Sequence, residues 1–166
     1  MNTYYRPVLQ IEKSTSERIA NSIGYTSLAA MVIFLLFKWS SLPAEVPAHF
    51  NAVGEVDRWG SKYELLILPV IAILLTFFME LIERYPHVHN YPERLCEANV
   101  HVFYLNSRQM LNYMKNIINM LFALLVYESI GISFGDDTSL GFSFALILIA
   151  LFAVMIWKII VSSKIK

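Results

Sequence analysis

Among the 166 residues of this chain, His49 and Asp57 come nearest by type and spacing to acid–base chemistry. They share a short window with Asn51, Glu55, Arg58, Trp59 and Lys62. A histidine near a carboxylate can move a proton or orient a polar ligand. Alone it cannot hold zinc, which takes three or four protein ligands. His87 and His89 form an H-x-H pair, followed by Cys96 and His101, but this spacing fits no standard site. His49, His87 and His89 are therefore weak metal candidates, and no metal or other cofactor is expected. The catalytic vocabulary is otherwise thin. There is no H-E-x-x-H, no G-x-S-x-G, no phosphate-binding glycine loop, and no aspartate pair on facing apolar runs.

A second group of polar residues stands out because of where it lies. Glu80 and Glu128 fall inside long apolar runs, as do Asn116 and Asn119. A carboxylate at such depth is costly and faces a partner or a watery cavity. Read by depth, Glu128 pairs with Lys38 or with Arg58 and Lys62. Glu80 pairs with Lys115 or Lys158. The two asparagines read as donors between helices. These carboxylates and lysines are candidate ion pairs first and candidate ligand groups second.

The elements that must position these residues follow from composition. Hydrophobic residues make up 57% and charged residues 16%, with mean hydropathy +0.53; a soluble domain carries about 25% charged residues. Four apolar runs, about 19–39, 64–82, 112–134 and 141–161, each supply the about 20 residues that cross a bilayer as a helix. The runs are continuous rather than alternating, which excludes a barrel. The expected fold is all-α: one domain, an integral membrane bundle of four transmembrane helices set in a lipid bilayer. Pro69 is expected to kink the second span. The first span follows a mixed-charge segment and is too long for a cleavable signal.

Basic residues give the bundle a direction. Of the 13 lysines and arginines, ten (Arg6, Lys13, Arg18, Arg84, Arg94, Arg108, Lys115, Lys158, Lys164 and Lys166) fall in the tails and the second connection. Only Lys38, Arg58 and Lys62 fall in the first connection, and the third carries Asp136 and Asp137 instead. By the positive-inside rule both termini are cytoplasmic, and the window 42–62 is outside. Pro92 suits the first position of a helix, so the third helix is expected to start there, in the cytoplasm, and run unbroken to Phe134. Formal net charge is +0, which gives no reason to expect nucleic acid.

In the outer window, Pro43 and Pro47 favour extended backbone, and Asn51 and Gly54 form a turn. The expected shape is an extended arm, a turn and a return arm, packed down by Val46, Phe50, Val56 and Trp59. The residues Leu42-Pro43, Val46-Pro47, His49-Phe50-Asn51, Gly54, Asp57 and Trp59-Gly60-Ser61-Lys62 resemble the signature of a bacterial membrane family catalogued as domain of unknown function 1648. A weaker likeness to longer members continues through Asn90-Tyr91-Pro92 and Glu97-Ala98-Asn99. The same loop type occurs in the SdpI-type toxin-immunity proteins, which are longer. The resemblance implies a membrane location and an outward loop, with immunity as one option.

Three functions compete. The first is non-enzymatic binding, sensing or immunity, with His49, Asn51, Asp57, Arg58, Trp59, Lys62 and Glu128 facing a peptide or membrane partner. The second is a small transporter using Glu80 and Glu128, which would require a homo-oligomer to form a pathway. The third is a membrane enzyme acting on a lipid or peptide with His49 and Asp57.

Overall fold

A computed structural model describes residues 6–136 and 138–166; Asp137 lies outside the described residues. The order is α1 (Thr15–Lys38), β1 (Glu45–Phe50), β2 (Val56–Ser61), α2 (Ile67–Glu83), α3 (Val100–Phe134) and α4 (Phe142–Lys164), with a short 3₁₀ turn at Lys62–Leu66. Among the described residues, four helices are long and apolar enough to cross a membrane. They bury only a minor share of their apolar windows against one another, so most of their surface is left for lipid, which is as apolar as leucine. The all-α expectation needs one amendment: β1 and β2 make an antiparallel hairpin between the first two helices.

Local signals explain each boundary. Ser14 and Glu17 form a capping box. The Ser14 N–H donates to Glu17 Oε2 at 2.8 Å and Glu17 N–H to Ser14 Oγ at 3.4 Å, satisfying two amides left orphaned at a helix start. Pro69 falls in the first turn of α2, just past the point where the 3₁₀ turn gives way to α-helix within one apolar span, Lys62–Glu83. α3 does not start at Pro92. The Asn99 side chain closes a turn there, accepting from Cys96 N–H at 2.9 Å and donating to Arg94 O at 3.0 Å, so helix begins only at Val100. The remaining 35 residues still reach about 52 Å, well past a hydrocarbon core of about 30 Å. Gly135, at φ 87°, ends the helix in the left-handed conformation, the usual glycine stop.

α3 is the hub. α1, α2 and α4 each pack on it, while α1 and α2 touch little. Two apolar clusters sit at opposite ends. At the hairpin end Met31, Leu35, Val46, Leu65, Val126 and Ile130 pack together. At the terminal end Leu95, Val100, Phe103 and Tyr104 gather Leu9, Ile11, Tyr91 and Ile165, and burial pushes the Tyr91 phenol up to about 12.

Candidate functional site

One face of α3 carries Arg108, Asn112, Lys115, Asn116 and Asn119, spaced three and four residues apart and all buried. That spacing stacks side chains on one helical face. At the terminal end this face meets paired charges. Arg108 donates to both oxygens of Glu17, Nε to Oε1 at 2.9 Å and Nη2 to Oε2 at 3.0 Å, and also to the carbonyls of Ile11 and Glu12. About two turns further in, Lys115 Nζ lies 2.5 Å from Glu80 Oε2 and 2.7 Å from Glu83 Oε1. Lys13 Nζ closes the group at 2.9 Å and 3.3 Å from the same two carboxylates, and Tyr25 donates to Glu80 at 2.7 Å. Two lysines thus face two glutamates, and no net charge is buried.

The expected Glu80–Lys115 pair is present. Lys158 does not join it. Its ammonium donates to Gln109 Oε1 at 2.6 Å and lies 4.6 Å from the centre of the Trp157 ring, an arrangement favourable to a cation. Depth alone placed Lys158 beside Glu80, but α4 packs on α3 and not on α2.

The asparagines continue inward. Asn112 and Asn116 both donate to Asn21 Oδ1 at 2.9 Å, and Thr76 donates to Asn119 Oδ1 at 2.9 Å. Beyond Asn119 the same face turns apolar, through Phe122, Ala123 and Val126 against Met31 and Ala72. Glu128 is nine residues past Asn119, about two and a half turns, so it points to the opposite side of α3. No line of polar side chains among the described residues joins Glu80 to Glu128.

The hairpin accounts for most of its own signature residues. His49 Nδ1 and Asp57 Oδ1 meet at 2.6 Å, both exposed. Asn51 Oδ1 accepts the N–H groups of Val53 and Glu55, each at 3.0 Å, and Gly54 takes φ 86°; these two make the turn. Arg58 binds Glu64 at 2.8 Å, and that carboxylate sits over Gly60. A Cβ on Gly60 would strike it and would lie 2.9 Å from Ala48 Cβ. The Ser61 hydroxyl caps the 3₁₀ turn by accepting from Tyr63 N–H at 3.5 Å. Lys62 reaches back to the Trp39 carbonyl at 3.4 Å and lies 5.2 Å from its ring centre. Val46 is buried in the core, whereas Trp59 stays exposed.

Glu128 has none of the partners expected from depth. Arg58 is already held by Glu64, and Lys62 by Trp39. Glu128 instead accepts from Gly141 N–H at 3.0 Å and Ser143 Oγ at 3.3 Å. It caps α4 from outside, where Gly141 offers no capping side chain. Lys38 sits near the Phe37 and Phe134 rings. Lys38 and Glu128 nevertheless share one cleft of about 490 Å³, walled also by Phe34, Tyr127, Phe134 and Asp136. None of its three charged groups has an ion-pair partner among the described residues. The hairpin fixes the rim of this cleft. Leu140 N–H donates to Gly54 O at 2.8 Å, and Glu55 bridges to Ser139.

The remaining candidates are occupied locally. His89 has Ser107 Oγ at 2.7 Å on one ring nitrogen and Ile82 O at 3.0 Å on the other, and His87 packs edge-on to Tyr85. No group of three or more potential metal ligands lies together among the described residues.

Comparison with known proteins adds kinship but no activity. An uncharacterized protein from the archaeon Archaeoglobus fulgidus is 40% identical over 78 residues, which cover 42% of this chain and 43% of that protein. The chain thus spans less than half of that relative. No solved structure matches. The segment running from mid-α1 through the hairpin into α2, residues 26–73, matches the model of DUF1648, a domain of unknown function.

Proposed function

We propose that this chain is a non-enzymatic membrane protein that holds a ligand in the cleft at its hairpin end, with the DUF1648 hairpin setting the shape of that cleft. One observation carries this reading: the charges gathered in this cleft are left unpaired among the described residues, while those set where α1 and α2 meet α3 are matched. At the terminal end Lys13, Lys115, Arg108, Glu17, Glu80 and Glu83 are all in ion pairs. In the cleft, Lys38, Glu128 and Asp136 have no ion-pair partner among the described residues. Concave sites with a few convergent polar groups on apolar walls are where ligands bind. The ligand would be a membrane component or an extracellular peptide, and sensing or toxin immunity its biological use. Ligand-binding roles for His49, Asn51, Asp57, Arg58, Trp59 and Lys62 would then act largely through the hairpin's shape. The test is co-purification. The wild-type chain is expected to release a bound small molecule on denaturation, and a Lys38→Ala/Glu128→Ala chain to release several-fold less. Equal release from both would sink the reading.

The orientation follows the positive charge: hairpin and cleft outside, both termini and the extension of α3 in the cytoplasm. Cys96 makes this testable without mutation, since it is exposed, lies at the terminal end, and is the chain's one cysteine. A membrane-impermeant maleimide is expected to label inside-out vesicles and to spare intact cells. Labelling of intact cells would reverse the orientation.

The 2.6 Å contact between His49 and Asp57 favours a second reading, an acid–base dyad of a membrane enzyme. The pair is exposed, and its geometry serves equally to tie the two strands. The transporter reading draws on Asn116 and Asn119, but the apolar layer past Asn119 argues against it.

A further inference from the structure

The contents of the cleft suggest what it would hold. Lys38 is the last residue of α1, Phe134 the last of α3, and Gly141 immediately precedes α4. A cleft built from helix ends in a bilayer-spanning bundle lies at headgroup level. Its aromatic walls continue outward onto lipid-facing surface, where Phe37, Tyr127 and Phe142 stand exposed. Its charges are mixed: one ammonium and two carboxylates. Glu128 is pinned by Gly141 and Ser143, and each of its oxygens keeps further acceptor capacity. Lys38 offers three donors beside two ring faces and has no carboxylate partner among the described residues.

We propose that this cleft is a headgroup site for a phospholipid bearing a primary amine, with Lys38 on the phosphate and Glu128 and Asp136 on the ammonium. The proposal rests on reading the cleft as a ligand site. A purely anionic headgroup would satisfy Lys38 but meet two uncompensated carboxylates. A quaternary ammonium carries no N–H to donate to them. A headgroup with both a phosphate and a primary amine gives Lys38 an anion and gives both carboxylates an N–H donor, leaving one negative charge over rather than two, and its acyl chains lie along the aromatic surface outside. Charge-assisted hydrogen bonds of this kind discriminate by about tenfold or more.

The experiment titrates the full-length chain in detergent with dioleoyl phosphatidylethanolamine, phosphatidylcholine and phosphatidylglycerol, counting bound lipid by native mass spectrometry. The ethanolamine lipid is expected to bind about tenfold tighter than either of the others. Lys38→Gln and Glu128→Gln are expected to erase that preference, with folding checked by melting. The headgroup series on wild-type protein needs no variant and decides the matter if the variants misfold. Affinities within about twofold of one another would overturn the proposal, as would preference for the choline or glycerol lipid. In those cases a co-purified ligand dependent on Lys38 and Glu128 would still uphold the cleft reading. Glycerophosphoethanolamine, the same headgroup without acyl chains, is expected to compete only at far higher concentration. Competition at equal concentration would overturn a membrane source.

Discussion

Replacing Lys115 by leucine is expected to cost the protein its folded state in detergent. Lys115 is 0% exposed at its side chain, and so nearly is Glu83, at 1%. With Lys13 and Glu80, which are 30% and 23% exposed, they form a neutral, largely buried group. Removing the Lys115 ammonium leaves the buried Glu83 carboxylate with only the partly exposed Lys13, which it shares with Glu80. Breaking a buried pair by removing one partner costs about 3–5 kcal/mol, because the surviving charge stays buried and unmatched. That is a large part of the stability of a domain this size. Thermal melting with size-exclusion chromatography would read it. The matched double variant Lys115→Leu/Glu83→Gln restores neutrality, with Lys13 left for Glu80, and is expected to recover most of the loss. A single variant melting within about 2 °C of wild type would mean that water enters this layer and screens it.

The second large effect is expected at Gly24. α1 and α3 approach so closely there that a Cβ would lie 2.7 Å from Asn116 Cβ and closer still to its Oδ1. Asn116 cannot withdraw easily, because its amide donates to Asn21 Oδ1 and to the Asn112 carbonyl at 2.9 and 2.8 Å. Gly24→Ala must push two packed helices apart, and overpacking of this kind costs about 1–3 kcal/mol. Asn116→Ala in the same chain is expected to relieve much of the strain. Gly131→Ala is the internal control. It lies in the same helix as Asn116, and its new Cβ would meet only Asp136 at 3.5 Å, so it is expected to be neutral or slightly stabilising through helix propensity. Equal effects at the two glycines would show that packing at Gly24 is not the cause.

The sequence was most legible where a signal is local or set by solvent. Four runs of bilayer length became four helices, and two prolines with an Asn51–Gly54 turn became a hairpin. The Glu80–Lys115 pair could be read because both residues sit at one depth on helices that pack together. Glu128 shows the limit of that reasoning. Depth identified cations but not unsatisfied backbone amides, and it was the start of α4 that took the carboxylate. Arg58 had found Glu64 six residues away, a pairing set by the turn after the hairpin. The Arg108–Glu17 pair was missed altogether. Ser14-x-x-Glu17 is a readable helix start, but its second use of Glu17 depends on α1 lying against α3. Similarly, the start of α3 was misplaced because Asn99 folds back on Arg94 and Cys96, a turn that outweighs the helix signal of Pro92.

The position of α3 as the hub also governs how the protein is assembled. α1, the hairpin and α2 leave the ribosome first, yet the first two helices hold little of each other. Glu80 and Glu83 enter with Lys13 as the nearest cation, one charge short. Lys115 and Arg108 arrive only with the third span. Until then Glu17 lacks its arginine, and Glu80 and Glu83 share a single lysine. The third helix therefore completes the assembly: its arrival supplies the missing cations and draws two loosely held segments together.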